Sequence, residues 1–320
     1  MSATDKPVVV FGGGGFVGRQ VAQELLSRGY RVRIAQRAPR QAFMVRSLGS
    51  MGQTQLTRVD IADADQVAAA LAGAGAAVNL VGLLRGDMKT AHVTGAANIA
   101  KAAAHAGLDA LVQISAIGAD PASPSAYGQT KAQGEAAVRA AFPKATILRP
   151  SIIFGRDDQF TNRFAGLIAT AASVPFIHTV PLIRGGTRFQ PIHVADVARA
   201  IATAIDEPGK YGGETYELGG PDVLTLGEIQ TWIAGQIGRS CHFLPIPDGI
   251  AKALATLTGW APGAPVTRDQ LAMLMGDNVV AANAKGIASF GIRPVPMAAL
   301  APAWLEQYRK QGRFGSTVSA

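Results

Sequence analysis

The feature that most constrains the fold of this chain is a short apolar run that leads directly into a cluster of glycines. Residues 8–11 read Val-Val-Val-Phe, and Gly12, Gly15 and Gly18 follow in a Gly-x-x-Gly-x-x-Gly pattern. The first glycine permits a tight turn after a strand, the second lets the backbone approach a pyrophosphate, and the third lets a helix pack closely on the strand. The helix N-terminus then offers unpaired N–H groups to phosphate oxygens. The pattern predicts a dinucleotide-binding turn, and a glycine-rich turn without a ligand is the alternative.

A regular alternation of strand-like and helix-like segments continues from this turn. The predicted strands lie at residues 8–11, 31–36, 55–59, 76–81, 110–115 and 145–148. Such an alternation predicts an α/β fold with a doubly wound parallel sheet of the Rossmann type. After Pro150, prolines and glycines interrupt the pattern, which predicts a smaller C-terminal α/β lobe. We therefore predict a nucleotide-binding domain over 1–155 and a substrate or partner lobe over 156–320, interleaved with the edge of the sheet.

The composition is that of a globular chain with a large core. Of its 320 residues, 48% are hydrophobic and 16% are charged, which argues against disorder. No apolar run reaches the roughly 18 residues that span a bilayer, and the polar start of the chain predicts no signal peptide. The single cysteine, Cys241, predicts no internal disulfide and a reducing compartment. Together these features predict a cytoplasmic protein.

The chain carries a formal net charge of +8, from 30 basic and 22 acidic residues. This excess suits an anionic cofactor or an anionic membrane surface, or it has no specific purpose. No nucleic-acid module and no basic run with interleaved aromatic residues is visible, so nucleic acid is not an expected partner. No pair among the five histidines has metal-ligand spacing with a carboxylate or cysteine partner, so no metal is expected.

Two segments toward the C-terminus each have two interpretations. The apolar segment 250–260, followed by Ala-Pro-Gly-Ala-Pro, either binds lipid or a quinone-like tail, or forms a helix that covers the second lobe. Arg309, Lys310 and Arg313 either belong to a solvated final helix or contact a membrane or partner peripherally.

The end of the second predicted strand carries information about the cofactor. An NAD site usually has an Asp or Glu about 20 residues past the glycines, which binds the ribose 2′-hydroxyl. Residues 35–40 read Ala-Gln-Arg-Ala-Pro-Arg, and Arg37 stands where the acid would be, with Arg19 and Arg40 as possible supporters. A guanidinium suits a 2′-phosphate through its charge and paired donors. We predict NADP(H) as the preferred cofactor, with NAD(H) left open and a solvated strand-end arginine as the alternative.

The ends of the third and fourth predicted strands supply further candidate contacts. Asp60 either accepts a hydrogen bond from an adenine amino group, with Ile61 packed on the ring, or caps the following helix. Leu80, Val81 and Gly82 stand where a backbone must pass close to a ribose, although a tight turn also explains Gly82.

A candidate reactive pair follows the fifth predicted strand. Tyr127 and Lys131 are spaced i, i+4 at the start of a helix, so both project from one face. A nearby ammonium is expected to lower the pKa of the phenol, which makes Tyr127 a usable acid or base. Ser115 ends the fifth strand and is expected beside Tyr127, where its hydroxyl polarises a carbonyl. Lys131 is also a candidate to hold the nicotinamide ribose.

At this point the chain resembles the short-chain dehydrogenase/reductase superfamily, in its extended or atypical branch. The matching motifs, in chain order, are the glycine turn, Ser115, Tyr127-Gly-Gln-Thr-Lys131, Arg149-Pro150 and Pro191-Ile-His193-Val-Ala-Asp196-Val197. The resemblance implies that Ser115, Tyr127 and Lys131 hold the catalytic positions and that residues 150–153 lie near the nicotinamide. His92 replaces the first Asn of the Asn-Val-x-Gly-Thr-x-Asn run that epimerases show, so their sugar-nucleotide site is not expected here.

A second resemblance runs nearly the whole length of the chain. The strings at 141–162, 266–270 and 290–297 are similar to the nucleotide-binding accessory subunit of respiratory complex I, the alpha-subcomplex subunit nine family. This resemblance implies complex I subunits as partners and NADPH held tightly as a structural element. It also implies that the protein is either cytoplasmic or bound peripherally to the cytoplasmic face of the inner membrane. An active NADP-dependent reductase or epimerase that acts on a hydrophobic carbonyl remains the alternative.

The complete set of predicted nucleotide-binding residues joins the strand-end candidates to the positions that the first resemblance implies. These residues are Gly12, Gly15, Phe16, Val17, Gly18, Arg37, Asp60, Ile61, Leu80, Val81, Gly82, Tyr127, Lys131, Pro150, Ser151 and Ile153.

Overall fold

A computed structural model of the chain describes residues 6–173, 178–259 and 266–312. The contacts within the chain separate two compact units. The first unit comprises Met1–Pro150, Val194–Leu218 and Val280–Arg293, and the second comprises Ser151–His193, Gly219–Val279 and Pro294–Ala320. The predicted division, 1–155 and 156–320 with the second lobe interleaved with the edge of the sheet, has different bounds, because the chain returns twice to the first unit after leaving it.

The strands and helices of the described residues are as follows. The strands are β1 Val8–Phe11, β2 Val32–Gln36, β3 Thr54–Arg58, β4 Ala76–Asn79, β5 Ala110–Ile114, β6 Thr146–Pro150, β7 Ile153–Phe154, β8 Thr179–Ile183, β9 Arg188–Phe189, β10 Ile192–His193, β11 Thr215–Leu218, β12 Leu224–Thr225 and β13 His242–Ile246. The α-helices are α1 Phe16–Ser27, α2 Ala64–Leu71, α3 Gly95–His105, α4 Ala126–Ala141, α5 Thr161–Ser173, α6 Val194–Asp206, α7 Pro208–Tyr211, α8 Leu226–Gln236, α9 Asp248–Thr258, α10 Arg268–Met273, α11 Met297–Leu300 and α12 Pro302–Leu305. The 3-10 helices are Pro39–Leu48, Ile287–Phe290 and Glu306–Tyr308, and one π-helical turn is Thr90–Thr94.

The first unit is built on a seven-stranded sheet in the order β11-β6-β5-β4-β1-β2-β3, and every neighbouring pair is parallel. The predicted fold class, a doubly wound sheet of the Rossmann type, is confirmed. The chain order reverses between β1 and β4, and the carboxyl ends of strands at such a switch point border the crevice where ligands bind. The pairing of Phe11 with Asn79 therefore places the glycine turn beside the end of β4.

The return of residues 194–218 to the first unit has two visible causes. Strand β11 pairs with β6 and extends the sheet, while α6 lies against α1. At the end of α6, the carboxylate of Asp206 accepts hydrogen bonds from Arg28 and from the hydroxyl of Tyr30, each at 2.5 Å. Both donors are distant in sequence, so the pattern that predicted the first six strands carried no sign of them.

The core of the first unit lies between the sheet and its helices. Large buried side chains of the strands, such as Phe11, Leu111 and Ile147, pack against alanines on α3, including Ala96 and Ala100. Alanine side chains let a helix lie close to the sheet and also favour the helical conformation. The alanine-rich helices that the sequence contains are therefore packing surfaces.

The second unit is the smaller lobe and has three short strand pairs, β7 with β10, β8 with β13 and β9 with β12. Its own core contains Phe154, Ile168, Ile229 and Trp304. Among the described residues, no helix is long and apolar enough to cross a membrane. Residues 260–265 and Arg313, which are candidates for lipid or membrane contact in the sequence, lie outside the described residues.

Candidate functional site

The glycine turn joins β1 to α1 with little room for side chains. Gly12 has a φ of +79°, in the left-handed region that favours glycine, and its N–H donates to the carbonyl of Ala35 at 3.0 Å. A Cβ at Gly18 would lie 2.5 Å from the carbonyl oxygen of Gly12 and 2.5 Å from the Cα of Gly13. The close approach of helix and strand predicted for Gly18 is therefore present in the structure.

At Gly15, unlike at Gly18, the protein leaves space beside the backbone. It precedes α1, and a Cβ there would meet only the carbonyl oxygen of Gly12, at 3.3 Å. No side chain of the described residues caps the helix at Gly15, and the first turn, which Phe16 and Val17 begin, contains no acidic residue. An uncapped N-terminus with its positive dipole end exposed fits a pyrophosphate.

Gln36, at the end of β2, holds the glycine turn in place by a hydrogen bond. The sequence alone predicted no role for this residue. Its side-chain oxygen accepts a hydrogen bond from the N–H of Gly14 at 2.8 Å, and its amide nitrogen donates to the carbonyl of Ala38 at 2.7 Å. The side chain thus links the turn to the segment that carries Arg37. A polar residue at the last position of a buried strand is the only signal that the sequence offered.

A basic cavity lies next to Gln36, at the ends of β2 and β3. It has a volume of about 450 Å³ and is lined by Arg37, Arg58, Asp60 and Gln66. Arg58 was not predicted; it stands opposite Gln36 in the β2–β3 register, and both arginines are exposed. Two guanidinium groups at one cavity favour an anionic group with several acceptor oxygens, such as a phosphate.

The segment after β3 has a local structure that corrects one alternative. The N-cap of α2 is Asp63, which accepts from the N–H groups of Asp65 and Gln66, so Asp60 does not cap this helix. Asp60 instead accepts from the N–H of Ala62 at 3.0 Å, which closes a turn.

Ile61, in the same segment, is held by helix α3. Its carbonyl accepts from the side chain of Asn98 at 2.9 Å, and its own side chain packs so closely on Gly95 that a Cβ there would lie 2.3 Å away. Asn98 therefore fixes the backbone at the position predicted to contact adenine.

The end of β4 passes between the glycine turn and the reactive pair. The side chain of Asn79 accepts from the N–H of Val81 at 3.1 Å, and a Cβ at Gly12 would lie 3.6 Å from the carbonyl carbon of Leu80. A Cβ at Gly82 would lie 3.3 Å from Nζ of Lys131. Leu80, Val81 and Gly82 thus connect the turn to Lys131.

Tyr127 and Lys131 lie on the first turns of α4, which Ser125 caps. Lys131 is only 5% exposed, and its ammonium donates to the carbonyl of Ile114 at 3.2 Å and lies 5.8 Å from the centre of the Tyr127 ring. Ser115 is buried at the same end of β5, and its hydroxyl has no hydrogen-bond partner among the described residues. A buried hydroxyl without a protein partner is costly, so Ser115 stays a candidate for contact with a ligand group or an ordered water.

The protonation of this pair differs from the sequence-based expectation. Burial raises the pKa of Tyr127 to about 12, and burial also lowers the pKa of Lys131 to about 8, partly offset by Glu135. The prediction that Lys131 lowers the pKa of the phenol is wrong for the protein alone. Removal from water disfavours the charged form of each group, and this effect exceeds their mutual attraction.

His92 connects the end of β4 to α4, a role that sequence reasoning missed. Its Nε2 accepts from the N–H of Leu83 at 2.9 Å, and its Nδ1 lies 2.9 Å from Oγ1 of Thr130. Because Nε2 is the acceptor, the hydrogen-bond network assigns the proton to Nδ1, which donates to Thr130. The ring also meets Tyr127 edge to face, with centroids 5.5 Å apart. The π-helical turn Thr90–Thr94 presents this side chain.

We predict that His92 makes the protein sensitive to acid. Burial and the charge of Lys131 lower the pKa of His92 from 6.5 to about 4. Below pH 6.5 the unfolded chain gains a proton that the folded chain does not, so stability falls as the pH drops toward 4. The full difference corresponds to about 3 kcal/mol of unfolding free energy. His92→Gln is expected to remove this part of the pH dependence in urea titrations between pH 4 and 7.

The exposed residue His105 provides the control for this experiment. His105→Gln should keep the pH dependence of the wild-type protein. An unchanged slope in the His92→Gln protein would contradict the assignment.

The residues predicted around the nicotinamide divide between the two units. Pro150 ends β6 in the first unit, whereas Ser151 and Ile153 belong to the second. The hydroxyl of Ser151 lies 2.7 Å from both the main-chain and side-chain oxygens of Asn278, and Ile153 pairs with Ile192. These contacts build the second unit, and a role for the three residues in nucleotide binding stays a prediction.

A parallel sheet of this order, a glycine turn at its switch point and a Tyr–Lys pair with a buried lysine are typical of nucleotide-binding proteins of the dehydrogenase-like class. Residues 8–219 match the model of the NAD dependent epimerase/dehydratase family, and the chain belongs to this family. Membership indicates a site for a nicotinamide dinucleotide. Among the described residues, no group of His, Cys, Asp and Glu is arranged to hold a metal ion.

Two relatives indicate a narrower group of proteins, and they confirm the resemblance to the accessory subunit of respiratory complex I. The chain is 33% identical to the alpha-subcomplex subunit 9 of mitochondrial NADH dehydrogenase (ubiquinone) from Arabidopsis thaliana, over 97% of this chain and 80% of that protein. It is 31% identical to the corresponding subunit of Mus musculus, over 90% of this chain and 76% of that protein.

A solved structure supports the fold. An NADPH-dependent quinone oxidoreductase from Escherichia coli, solved in complex with NADPH, matches with a TM-score of 0.73 and 19% identity. The match covers 93% of this chain and 99% of that one.

Proposed function

We propose that this chain binds NADP(H) and holds it mainly as a structural element of a protein that associates with respiratory complex I. The observation that supports NADP(H) as the cofactor is the basic cavity lined by Arg37 and Arg58. Two guanidinium groups fit the 2′-phosphate that distinguishes NADP(H) from NAD(H). The similarity of more than nine-tenths of the chain to complex I subunits supports the partner.

The residues of the first unit divide the work of binding. Gly12, Gly15 and Gly18 receive the pyrophosphate at the start of α1, while Asp60 and Ile61 face the adenine. The β4 end and the Tyr127–Lys131 pair receive the nicotinamide ribose. When bound, the nicotinamide supplies a hydride donor or acceptor. The chain's own residues orient it, and Lys131 provides positive charge at this end of the site.

A structural rather than catalytic use of the cofactor is supported by the protonation of Tyr127. A general acid or base works best when its pKa lies near the pH of the reaction. Burial holds the pKa of this phenol at about 12, so the group keeps its proton and is a weak acid at neutral pH. We therefore expect slow turnover and tight retention of the nucleotide.

The proposed location is the cytoplasm or the cytoplasmic face of the inner membrane, where the protein contacts complex I and the membrane peripherally. Mass spectrometry of the native protein, extracted from its own membranes, tests this proposal. We expect NADP(H) near one molecule per chain, together with complex I subunits. Absence of both the nucleotide and these subunits would overturn the proposal.

Arg37→Asp is expected to lower the affinity for NADPH by about 100-fold and to leave NADH binding within a few-fold. The substitution removes a charge-assisted contact to the 2′-phosphate and adds a carboxylate that suits a 2′-hydroxyl. Isothermal titration with both nucleotides measures the change in preference. Arg31→Gln, at an exposed arginine before β2, serves as the matched control and should change neither affinity. Equal losses for both nucleotides would contradict a 2′-phosphate role.

The second candidate function is an active NADP-dependent reductase or epimerase for a hydrophobic carbonyl or quinone-related substrate. The unpartnered, buried hydroxyl of Ser115 favours it, because such a group suits a substrate carbonyl. In this case Tyr127→Phe should reduce turnover of quinone and carbonyl substrates at least about a hundredfold when the protein is saturated with NADPH. Turnover that survives the substitution would exclude Tyr127 as the proton donor.

A further inference from the structure

A surface segment of the first unit, residues 39–51, exposes four large apolar side chains. It consists of the 3-10 helix Pro39–Leu48 and the turn that follows. The exposed fractions are 51% for Phe43, 68% for Met44, 39% for Leu48 and 103% for Met51. Large apolar side chains that cluster on a surface mark a place of interaction, whereas single ones need no explanation.

The geometry of the 3-10 helix explains why these side chains point outward. With three residues per turn, residues three apart lie in one row along the helix. In one row, Ala42 and Val45 are buried and attach the helix to the unit, and Leu48 at the end of the same row is exposed. The other two rows face solvent, and they carry Phe43 and Met44. About two thirds of the helix surface is therefore available to a partner.

The sequence around this segment is rich in arginine, although one of these arginines, Arg28, is paired with Glu24 and Asp206. Residues 25–59 contain seven arginines and neither Asp, Glu nor Lys, and the whole chain has a net charge of +8. Arg40 and Arg46 belong to the same outward row as Phe43, and the guanidinium of Arg46 lies 5.2 Å from the centre of the Phe43 ring. Apolar and cationic groups thus alternate on one exposed face.

We propose that the 39–51 segment docks on the surface of an anionic lipid bilayer. The apolar side chains enter the boundary between headgroups and acyl chains, and the arginines bind lipid phosphates. An acidic protein surface would satisfy the arginines but would leave fully exposed side chains such as Met51 without a matching environment. The inference rests on the peripheral membrane location proposed above, to which it adds the docking surface and the class of lipid.

Flotation of the purified full-length protein with lipid vesicles tests the inference. We expect binding to phosphatidylcholine vesicles that contain about one third phosphatidylglycerol, little binding to pure phosphatidylcholine, and weaker binding at high salt. The double variant Phe43→Ser/Met44→Ser should bind at least about tenfold more weakly. Arg46→Gln should bind about fivefold more weakly, as expected for the loss of one charge near the surface.

A matched control comes from the second unit. Ile250 and Leu257 on α9 are 59% and 72% exposed, and they belong to the segment for which lipid binding was considered from the sequence. Ile250→Ser/Leu257→Ser should keep wild-type vesicle binding. Three results would overturn the inference: a wild-type protein that ignores anionic vesicles, a Phe43/Met44 variant that binds like the wild type, or loss of binding in the α9 control alone.

Two further measurements on the same variants separate this inference from the proposed function. Bound NADP(H) and thermal unfolding should be unchanged in the Phe43→Ser/Met44→Ser protein, because both side chains are exposed and neither lines the cavity of Arg37 and Arg58. If that variant loses complex I subunits while the wild type never binds vesicles, the segment is a protein-docking surface and the lipid assignment is wrong. If vesicle binding follows the expectation while no nucleotide or complex I subunit is found, the proposed function fails and the docking surface stands.

Discussion

Gly18→Val is expected to abolish nucleotide binding and to lower the free energy of unfolding by about 3 kcal/mol. The reason is steric. A Cβ at this position would lie 2.5 Å from Gly12 O and 2.6 Å from the carbonyl carbon of Gly13, and both are backbone atoms that cannot rotate away. Helix α1 must therefore move off the turn, which separates its N-terminus from the place where a pyrophosphate is received. Urea unfolding and titration with NADPH measure the two effects.

The neighbouring glycine provides a control that separates folding from binding. At Gly15 an added Cβ meets only Gly12 O, at 3.3 Å, and the position is otherwise open. Gly15→Ala should keep the unfolding free energy within about 1 kcal/mol of the wild type and still weaken nucleotide binding, because the methyl group occupies the approach of the phosphates. Full nucleotide affinity in the Gly15→Ala protein would contradict the assignment of the pyrophosphate to this turn.

Lys131→Met is expected to stabilise the nucleotide-free protein and to weaken its binding of NADP(H) by about 30-fold. The ammonium is 5% exposed, and burial lowers its pKa from 10.5 to about 8. At pH 7 the folded state therefore carries a buried charge at a cost of about 3 kcal/mol, which methionine removes with little change in volume. The carbonyl of Ile114 keeps a hydrogen bond from Gln113, so no acceptor is left unpaired. Guanidinium unfolding at pH 7 measures the gain.

The pH dependence gives this prediction a definite sign. Between about pH 8 and 10 the amine is neutral in the folded state and charged in the unfolded state, so the unfolded state binds more protons and stability rises with pH. Lys131→Met should remove this rise, and Lys101→Met, at an exposed lysine of α3, should retain it. A variant that is destabilised at pH 7, or that keeps the rise, would show that the buried ammonium is not the source of the cost.

The predicted part of the site consists of residues whose role follows from a local pattern. The glycine turn could be assigned from its spacing after an apolar strand, and Tyr127 and Lys131 from their i, i+4 spacing on one helix face. Gln36, Arg58 and His92 could not be assigned, because their roles depend on partners that the fold brings together. Arg58 reaches the basic cavity through the register of β2 and β3, which no local pattern specifies.

Candidate docking surfaces also divide into those that a local sequence pattern indicates and those that only the fold reveals. From the sequence, the apolar run at 250–260 and the basic residues near 309 stood out, because hydrophobicity and charge were each read in one continuous stretch. The 39–51 segment did not stand out, since its apolar and basic residues alternate and two of its apolar positions, Ala42 and Val45, are buried. Exposure is a property of packing, so it became visible only in the fold.

The sequence by itself determined the parallel doubly wound sheet, and it predicted the glycine turn and the Tyr127–Lys131 pair as parts of the candidate site. These depend on the order of apolar, glycine and polar residues along the chain. Only the tertiary structure decided which residues beyond 150 return to the first unit and that His92 links β4 to α4. It also decided that Lys131 is buried and Tyr127 half-buried, with their pKa values shifted toward the neutral forms. The physical reason is that burial, strand register and long-range hydrogen bonds arise from contacts between segments far apart in the chain. Desolvation by those contacts, rather than the spacing of two residues, decides which protonation state the site holds.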